Sequence, residues 1–122
     1  MIVLIVGDFC VGKDTFADML MEEIYEYSSH KVKKILSYTT RPARYKERGT
    51  HEFCTREEFL EFDDLIAQTK IDDEYYGARA SQFDIDGINI YVVDTKGASD
   101  VVAYGLDDVY IIEIVRPVWL IK

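Results

Sequence analysis

The sequence predicts an α/β domain with a mainly parallel central sheet. The first observation behind this prediction is that apolar, strand-like runs alternate along the chain with segments of helical spacing. The second is the unbroken apolar run Met1–Val6, which ends at Gly7, because strands buried on both faces of a parallel sheet lack polar alternation. The chain has 122 residues, the length of one domain, so we expect residues 1–122 to form a single unit.

The first forty residues read as a strand, a helix and a second strand. Met1–Val6 is the first, central strand. The helix is expected over Asp14–Tyr27, where the apolar side chains recur at helical spacing on one face. That face consists of Ala17, Leu20, Ile24 and Tyr27. Ser28-Ser29-His30 ends the helix, and Val32–Tyr38 is the second predicted strand.

The next segment, Thr39–Glu52, has no regular spacing of apolar residues and is predicted to be a loop. Thr55 and Glu58 have the spacing of a capping box, which predicts a short helix through about Phe62. Three further elements and a hairpin are expected downstream. They are short strands within 65–78 around an Asp72-Asp73-Glu74 turn, a strand at Ile88–Val93, a helix at Ala98–Tyr104 and a strand at Val109–Val115.

Composition excludes several classes of protein. The longest apolar runs, Met1–Val6 and Val109–Ile112, are far shorter than the roughly 20 residues that a membrane-spanning helix needs. The N-terminus has no basic region before its apolar run, which speaks against a signal peptide. Two cysteines do not make the framework of a disulfide-rich secreted protein. We therefore expect a soluble, cytoplasmic protein without a membrane partner.

Charge is distributed unevenly along the chain. The net charge of −9 argues against a nucleic-acid partner, because such binding depends on a basic surface that neutralises phosphates. Residues 31–56, however, hold eight basic and two acidic side chains, whereas residues 57–108 hold three basic and fourteen acidic ones. The basic segment indicates either a local anion site of small-molecule size or a solvated loop that balances the acidic surface.

The clearest motif is Gly7-Asp8-Phe9-Cys10-Val11-Gly12-Lys13, which has the spacing of a phosphate-binding loop. In such a loop, backbone amides and a helix N-terminus point at phosphate oxygens, and the lysine adds a positive charge. The motif stands between an apolar strand and an amphipathic helix, as this function requires. The other interpretation is an ordinary glycine-rich turn with an exposed Lys13.

The residue after Lys13 departs from the usual motif. Ser or Thr normally stands there and its hydroxyl reaches Mg²⁺, but this chain has Asp14 followed by Thr15. A carboxylate at that point repels bound phosphate unless a cation lies between them. Asp14 is therefore expected either to hold the metal through water or to turn away, with Thr15 as the nearest hydroxyl.

Ser37-Tyr38-Thr39-Thr40-Arg41-Pro42-Ala43-Arg44, followed by Glu47 and Gly49, resembles the monophosphate-binding segment of guanylate kinases. Three later segments resemble that family's landmarks in the same order, and the resemblance runs from Ile2 to about Pro117. They are Glu57-Glu58-Phe59, Tyr75-Tyr76-Gly77 and Asp94-Thr95-Lys96-Gly97. The resemblance implies a three-layer P-loop kinase core with a small inserted monophosphate-binding region at about residues 36–80.

The resemblance also assigns site residues. It implies that Gly7, Val11, Gly12, Lys13, Asp14 and Thr15 hold the ATP phosphates, and that Ser37, Arg41, Arg44, His51, Tyr76 and Asp94 hold the acceptor monophosphate. Thr15, Asp14 and Asp94 are the candidates to hold Mg²⁺, directly or through water. Two arginines three residues apart can clamp one phosphate with forked hydrogen bonds. The alternatives are surface arginines paired with nearby acids and, for His51, a plain surface histidine.

Base recognition departs from the family pattern. Guanine is read in that family by a glutamate and a hydroxyl, and counting back from Tyr76-Gly77 places Ala67 and Ala78 at those positions. A buried polar group that loses its partner costs about 1–3 kcal/mol, so we expect weak guanine discrimination unless Gln68 or Glu74 substitutes. The other interpretation is that the family's positions are misaligned locally with this stretch, so that other residues occupy the guanine-reading positions.

The resemblance therefore implies an enzyme that uses ATP and Mg²⁺ to phosphorylate a nucleoside monophosphate, with GMP or dGMP as first candidates. Lys13, Arg41 and Arg44 are its expected catalytic residues, since phosphoryl transfer depends mainly on positioning and charge neutralisation. Two alternatives are a nucleotide- or protein-binding module without catalysis and a deoxynucleoside monophosphate kinase of relaxed base choice.

The chain is short for this family, whose members continue with a lid and a closing helix after the strand at Val109–Val115. Both are expected to be absent. The chain would then be a fragment of a longer protein or a reduced kinase. In the second case it would take its lid from a partner subunit, for example in a homo-oligomer.

Overall fold

The computed structural model describes residues 1–7 and 12–115, which form two four-stranded sheets and three α-helices. The strands are β1 (Ile2–Gly7), β2 (Val32–Ile35), β3 (Tyr38–Thr39), β4 (Glu52–Phe53), β5 (Leu65–Ile71), β6 (Glu74–Arg79), β7 (Ile88–Val92) and β8 (Val109–Ile114). The helices are α1 (Lys13–Tyr27), α2 (Arg56–Glu61) and α3 (Thr95–Tyr104).

The central sheet has the order β2-β7-β1-β8, and every pair of neighbouring strands is parallel. The α1 helix packs on one face of this sheet through Ala17, and α3 packs on the other through Ala98 and Val101. The predicted α/β architecture with a parallel sheet in the middle of three layers is therefore confirmed.

The position of β1 in the middle of the domain explains why its sequence is apolar without interruption. Val3 and Ile5 belong to the core on the α1 side, whereas Ile2, Leu4 and Val6 belong to the core on the α3 side. Leu4 and Ile5 have no exposed surface, and burying a side chain of this size stabilises the fold by roughly 1.5–3 kcal/mol. The strand thus holds both outer layers of the domain.

The α1 helix begins at Lys13, one residue before the predicted start, and ends at Tyr27 as predicted. Its sheet-facing side includes Ala17, Leu20 and Ile24. Tyr27, which the spacing assigns to the same face, is 75% exposed. It is the last residue of the helix, and its prediction as a core residue is wrong.

The predicted second strand, Val32–Tyr38, is divided between the two sheets. Its first part is β2, an edge strand of the central sheet, and its last residue opens β3 of the second sheet. The division occurs because backbone groups beyond Ile35 bond elsewhere. The Leu36 carbonyl accepts a hydrogen bond from the Gln82 side chain, and the Ser37 carbonyl accepts one from the Glu52 amide.

The second sheet has the order β4-β3-β6-β5, and its strands lie between β2 and β7 along the sequence. Its hairpin, β5–β6, turns at Asp72 and Asp73, both of which have positive φ, as a two-residue type I′ turn requires. The Thr55–Glu58 capping box is present at the start of α2, as predicted. That helix buries Phe59 completely against the ring of Tyr75, whose centroid lies 5.2 Å away.

The last helix, α3, begins at Thr95, three residues before the predicted start at Ala98. The reason is local, because the Asp94 side chain accepts a hydrogen bond from the Gly97 amide at 2.7 Å and caps the helix. The flanking strands β7 and β8 end within one residue of their predicted limits. No helix among the described residues is long and apolar enough to cross a membrane.

Candidate functional site

Two adjoining cavities lie between the central sheet and the inserted sheet, at the carboxyl end of β7, where open α/β sheets usually bind ligands. The larger, here called the arginine cavity, has a volume of about 530 Å³, and its chemistry comes from Asp14, Lys34, Arg41, Arg44, Glu47 and His51. The smaller, here called the alanine cavity, has about 170 Å³ and includes Ala67, Gln68, Thr69, Tyr76, Gly77 and Asp94. Ser37, Tyr91 and Val92 line both cavities and so join them into one cleft.

The start of α1 carries the described part of the predicted phosphate loop. Gly12 precedes the helix with φ at +86°, a left-handed conformation that favours glycine. The Lys13 ammonium donates a hydrogen bond of 2.9 Å to the Gly7 carbonyl at the end of β1. Gly7, Gly12 and Lys13 are therefore brought together at a helix N-terminus, while the prediction for Val11 lies outside the described residues.

Arg41 is held in place by Glu47. Its two terminal nitrogens donate to the two oxygens of the carboxylate, each at 2.9 Å. The same carboxylate accepts hydrogen bonds from the Arg44 backbone amide at 2.9 Å and from the Thr50 hydroxyl at 2.6 Å. Glu47 thus fixes the loop that carries both predicted phosphate-binding arginines.

These contacts keep the pair charged. The Arg41 guanidinium, followed by the Thr50 hydroxyl, holds the pKa of the Glu47 carboxyl well below its usual range. The Glu47 carboxylate raises the pKa of Arg41 above its ordinary value. Arg41 also lies over the ring of Phe53, with 5.6 Å between guanidinium carbon and ring centroid. Arg41 lines the arginine cavity and is at the same time paired with a nearby acid, which was the alternative interpretation of this residue. Its role in holding a phosphate stays a prediction, and sequence reasoning assigned no role to Glu47.

His51 lies beside the Arg41–Glu47 pair. Its Nδ1 atom is 3.4 Å from an Arg41 nitrogen and 3.2 Å from the Thr50 hydroxyl. Its ring meets that of Tyr76 edge to face at 5.8 Å. Burial, and secondly the charge of Arg41, lower the pKa of the imidazole from its ordinary value. Both effects favour the neutral imidazole. His51 thus joins Arg41 and Tyr76 at one wall of the cleft.

Ser37 stands where the two cavities meet. Its hydroxyl lies 2.6 Å from that of Tyr91, a residue with 3% of its surface exposed. Burial raises the pKa of the Tyr91 phenol despite this hydrogen bond. Tyr91 is a wall residue that sequence reasoning missed, because an aromatic side chain in a buried strand gives no signal beyond core packing.

Ala67 and Ala78 are directly opposite each other in the β5–β6 ladder. Ala67 lines the alanine cavity, whereas Ala78 has no exposed surface and belongs to the core. The polar side chains on this part of the wall are Gln68 and Thr69. A side chain at Gly77 would meet the Ala67 carbonyl oxygen at 2.6 Å, so glycine is required where these strands approach.

Two of the three candidate metal residues line the cleft, and the third, Thr15, lines neither cavity. Asp14 lines the arginine cavity, Thr15 follows it in the first turn of α1, and Asp94 lines the alanine cavity while it caps α3. Within residues 1–7 and 12–115, no cluster of three or more His, Cys, Asp or Glu side chains could hold a metal ion. Mg²⁺ commonly takes only one or two carboxylates and fills its shell with water and substrate phosphates, so these residues fit a metal that arrives with a nucleotide.

Lys34, like Glu47, is a charged residue of the cleft that sequence reasoning missed. Its ammonium lies 3.1 Å from Asp14 Oδ1 and 3.3 Å from Asp18 Oδ1. Burial acts to lower the pKa of Lys34, but hydrogen bonds to Asp14 and Asp18 outweigh it, so the pKa is raised. A signal existed in the sequence, because Lys34 shares the helix-facing side of β2 with Val32.

Comparison with solved structures finds the guanylate kinase of Anaplasma phagocytophilum, with a TM-score of 0.67 and 24% identical residues. The match covers 93% of this chain and 58% of that protein, so this chain spans less than two thirds of the length of the structure it matches. No protein-family model and no curated protein matches the sequence. The predicted kinase-like architecture is confirmed at the level of the fold: this chain has a guanylate-kinase-like fold over nearly all of its length.

Proposed function

We propose that this chain transfers a phosphoryl group from ATP to a nucleoside monophosphate, with GMP and dGMP as the first substrates to test. The observation that carries the proposal is the arginine cavity, because it joins the N-terminal turn of α1 to Arg41 and Arg44 within one space. Asp14 is the α1 residue that lines this cavity, and Lys13 precedes it in the first turn of the helix. A helix N-terminus and an arginine pair at one cavity suit two phosphate groups that must meet. The fold of the matched guanylate kinase supports the same activity.

In this proposal, Gly7, Gly12 and Lys13 bind the donor phosphates, with the Lys13 ammonium exchanging its contact to the Gly7 carbonyl for phosphate oxygens. Arg41 and Arg44 hold the acceptor phosphate, and Ser37, His51 and Tyr76 add hydrogen bonds around it. When bound with ATP, Mg²⁺ supplies charge neutralisation, and Thr15, Asp14 and Asp94 are the residues that would hold it. Catalysis then rests on alignment and charge, with no nucleophilic side chain needed.

We further propose that the inserted region at about residues 36–80 binds the monophosphate. The second sheet spans Tyr38–Arg79 and supplies Arg41, His51 and Tyr76 to the cleft. The alanine cavity is then the place of the nucleoside. Its wall offers Gln68 and Thr69 in place of a carboxylate, which supports weak selection for guanine.

A binding module without catalysis is the second candidate. One observation favours it, since both terminal nitrogens of Arg41 and the ammonium of Lys13 already have partners within the chain. Titration calorimetry with ATP and with GMP, combined with a coupled kinase assay over a panel of monophosphates, separates the two candidates. Binding with turnover supports the kinase, binding without turnover supports the module, and failure to bind either nucleotide contradicts both.

Variants of the same chain sharpen this experiment. Lys13→Ala should lower kcat by at least about 100-fold, because one charged donor to the reacting phosphates is lost. Arg41→Ala and Arg44→Ala should raise the KM for the monophosphate. The matched control is Arg48→Ala, which changes an exposed arginine of the same loop that does not line the arginine cavity. Equal activity of Lys13→Ala and the unmodified chain would contradict the mechanism.

A further inference from the structure

Lys34 is a cation of the arginine cavity that the proposed mechanism does not use. Its side chain is 22% exposed, whereas those of its partners Asp14 and Asp18 are 75% and 67% exposed. The ammonium therefore lies beneath two carboxylates, at the junction of β2 and the first turns of α1. The Lys34 ammonium thus has both carboxylates as partners in this position.

Asp14 needs such a partner. It follows Lys13 at a helix N-terminus that is expected to receive phosphate, and an unpaired carboxylate there would repel the ligand. Asp14 and Asp18 are also one helical turn apart, where like charges destabilise a helix. A single ammonium within 3.3 Å of both carboxylates offsets both costs.

We propose that Lys34 is a positioning residue that holds the Asp14 carboxylate and cancels its charge, so that the start of α1 can accept a polyphosphate. The identity of that polyphosphate as the nucleotide donor rests on the proposed function. An ammonium has three N–H donors, and the two aspartates use two of them. Asp14 is therefore a paired acid in this site, and Lys34 is the residue that makes an aspartate acceptable after Lys13.

Binding of a polyphosphate in the presence of EDTA tests this role without a metal. The probes are inorganic tripolyphosphate and ATP, each titrated calorimetrically into the unmodified chain and into its variants. Lys34→Met keeps the apolar stem and leaves Asp14 uncompensated, so both probes should bind about tenfold more weakly, a moderate loss because Asp14 is well exposed. Lys34→Arg keeps the charge and should bind within about twofold of the unmodified chain.

The decisive variant is the double replacement Asp14→Asn with Lys34→Met. Once the carboxylate is gone, its partner is no longer needed, and affinity should return to within about twofold of Asp14→Asn alone. The matched control pairs Lys34→Met with Asp18→Asn, which removes the other carboxylate one turn further along α1. That control should stay as weak as Lys34→Met. The comparison of Asp14→Asn with its double variant remains informative if Lys34→Met alone does not fold.

Three results would overturn the inference: full affinity of Lys34→Met, a double variant as weak as Lys34→Met, or a strong loss of affinity in Asp14→Asn alone. If the unmodified chain binds tripolyphosphate but not ATP in EDTA, the tripolyphosphate affinities of the variants alone decide the role of Lys34. If it binds neither probe in EDTA, the inference about Lys34 is wrong, while the proposed function is decided separately by the coupled kinase assay with Mg²⁺.

Discussion

Glu47 determines how the arginines of the cleft are presented. Its carboxylate takes both terminal nitrogens of Arg41, the backbone amide of Arg44 and the hydroxyl of Thr50. Such a bidentate pair fixes the direction of the guanidinium as well as its charge. Because hydrogen bonds hold the pKa of this carboxyl well below its usual range, the pair stays ionised at neutral and mildly acidic pH.

If the proposed function holds, replacement of Glu47 should impair the proposed acceptor site alone. Glu47→Gln keeps the size of the side chain but removes the charge that holds Arg41. We expect the KM for the monophosphate to rise by about tenfold to 100-fold, since a misdirected binding group loses alignment, while the KM for ATP stays unchanged. Steady-state kinetics with each substrate varied in turn measures the two constants separately.

The matched control for this prediction is Glu52→Gln. Glu52 is the other acidic residue of the basic segment 31–56, and it is exposed in β4. This variant should leave both KM values as they are. An equal rise in the two constants for Glu47→Gln would show a general disturbance of the fold and contradict a specific role in the acceptor site.

His51 should make the stability of the fold dependent on pH. Burial and the charge of Arg41 lower its pKa in the folded chain, so the unfolded chain binds a proton more readily. The free energy of unfolding should therefore fall as pH drops below about 6.5, the usual value for histidine. The contribution is complete above that pH and is lost between it and the lower folded value.

Urea unfolding at several pH values between about 5 and 7 measures this effect. The unmodified chain should lose stability relative to His51→Gln as pH falls through this range. His30→Gln removes the exposed second histidine and serves as the control for general effects of a histidine replacement. Parallel pH profiles for the unmodified chain and His51→Gln would contradict the assigned environment of His51.

At the scale of elements, the sequence predicted the strands, helices and caps that residue spacing determines. The buried strand β1, the amphipathic helix α1 and the Thr55–Glu58 capping box all follow from spacing. The division of Val32–Tyr38 between two sheets did not follow from spacing, because backbone hydrogen bonds to Gln82 and Glu52 cause it. Those partners are distant in sequence, so no local pattern reveals them.

Local sequence patterns likewise revealed only part of the candidate site. The motif and the resemblance pointed to Lys13 and Arg41; Arg41 lines the arginine cavity, whereas the Lys13 ammonium bonds to the Gly7 carbonyl and lines neither cavity. Their organisers were not predicted, since the Arg41–Glu47 contact lies within an aperiodic loop and the Lys34–Asp14 contact joins a strand to a helix. Residue type identifies a charged group, but the fold decides which opposite charge it meets.

Asp94 has two separable roles, one as the cap of α3 and one as a wall residue of the alanine cavity. Asp94→Ala removes the acceptor for the Gly97 amide and should lower the free energy of unfolding by about 1 kcal/mol. Asp94→Asn keeps an oxygen at the cap, so its stability should stay close to that of the unmodified chain. Thermal and urea unfolding of the three proteins measures the structural role.

Monophosphate kinetics measures the second role of Asp94. If its charge serves the ligand or a metal-bound water, Asp94→Asn should lose activity while it keeps its stability. Asp94→Ala should then lose both. Full activity in a stable Asp94→Asn variant would show that Asp94 acts as a helix cap alone and would remove it from the acceptor site.

Over the whole molecule, the net charge is negative, whereas the basic side chains are concentrated in one segment that contributes to the arginine cavity. The chain carries a net charge of −9, yet the cleft takes Lys34, Arg41 and Arg44 from a segment of 26 residues with a net charge of +6. At about 0.1 M salt, charges are screened beyond roughly 10 Å. Asp14 and Glu47 line the arginine cavity with these three cations and offset two of them. The field that an anionic ligand meets in this cavity is then set by a small local excess of positive charge and only weakly by the acidic remainder.

The sign of the salt dependence tests this view of the molecule. If the local cations dominate, raising NaCl from about 0.05 M to about 0.5 M should weaken ATP and GMP binding several-fold. If the net charge dominated, screening of the repulsion would strengthen binding instead. Arg44→Gln, which removes a charge that lines the arginine cavity, should reduce the slope, whereas Asp63→Asn in the acidic half should leave it unchanged. Calorimetric titrations at several salt concentrations decide the sign, and tighter binding at high salt would contradict a cationic cleft.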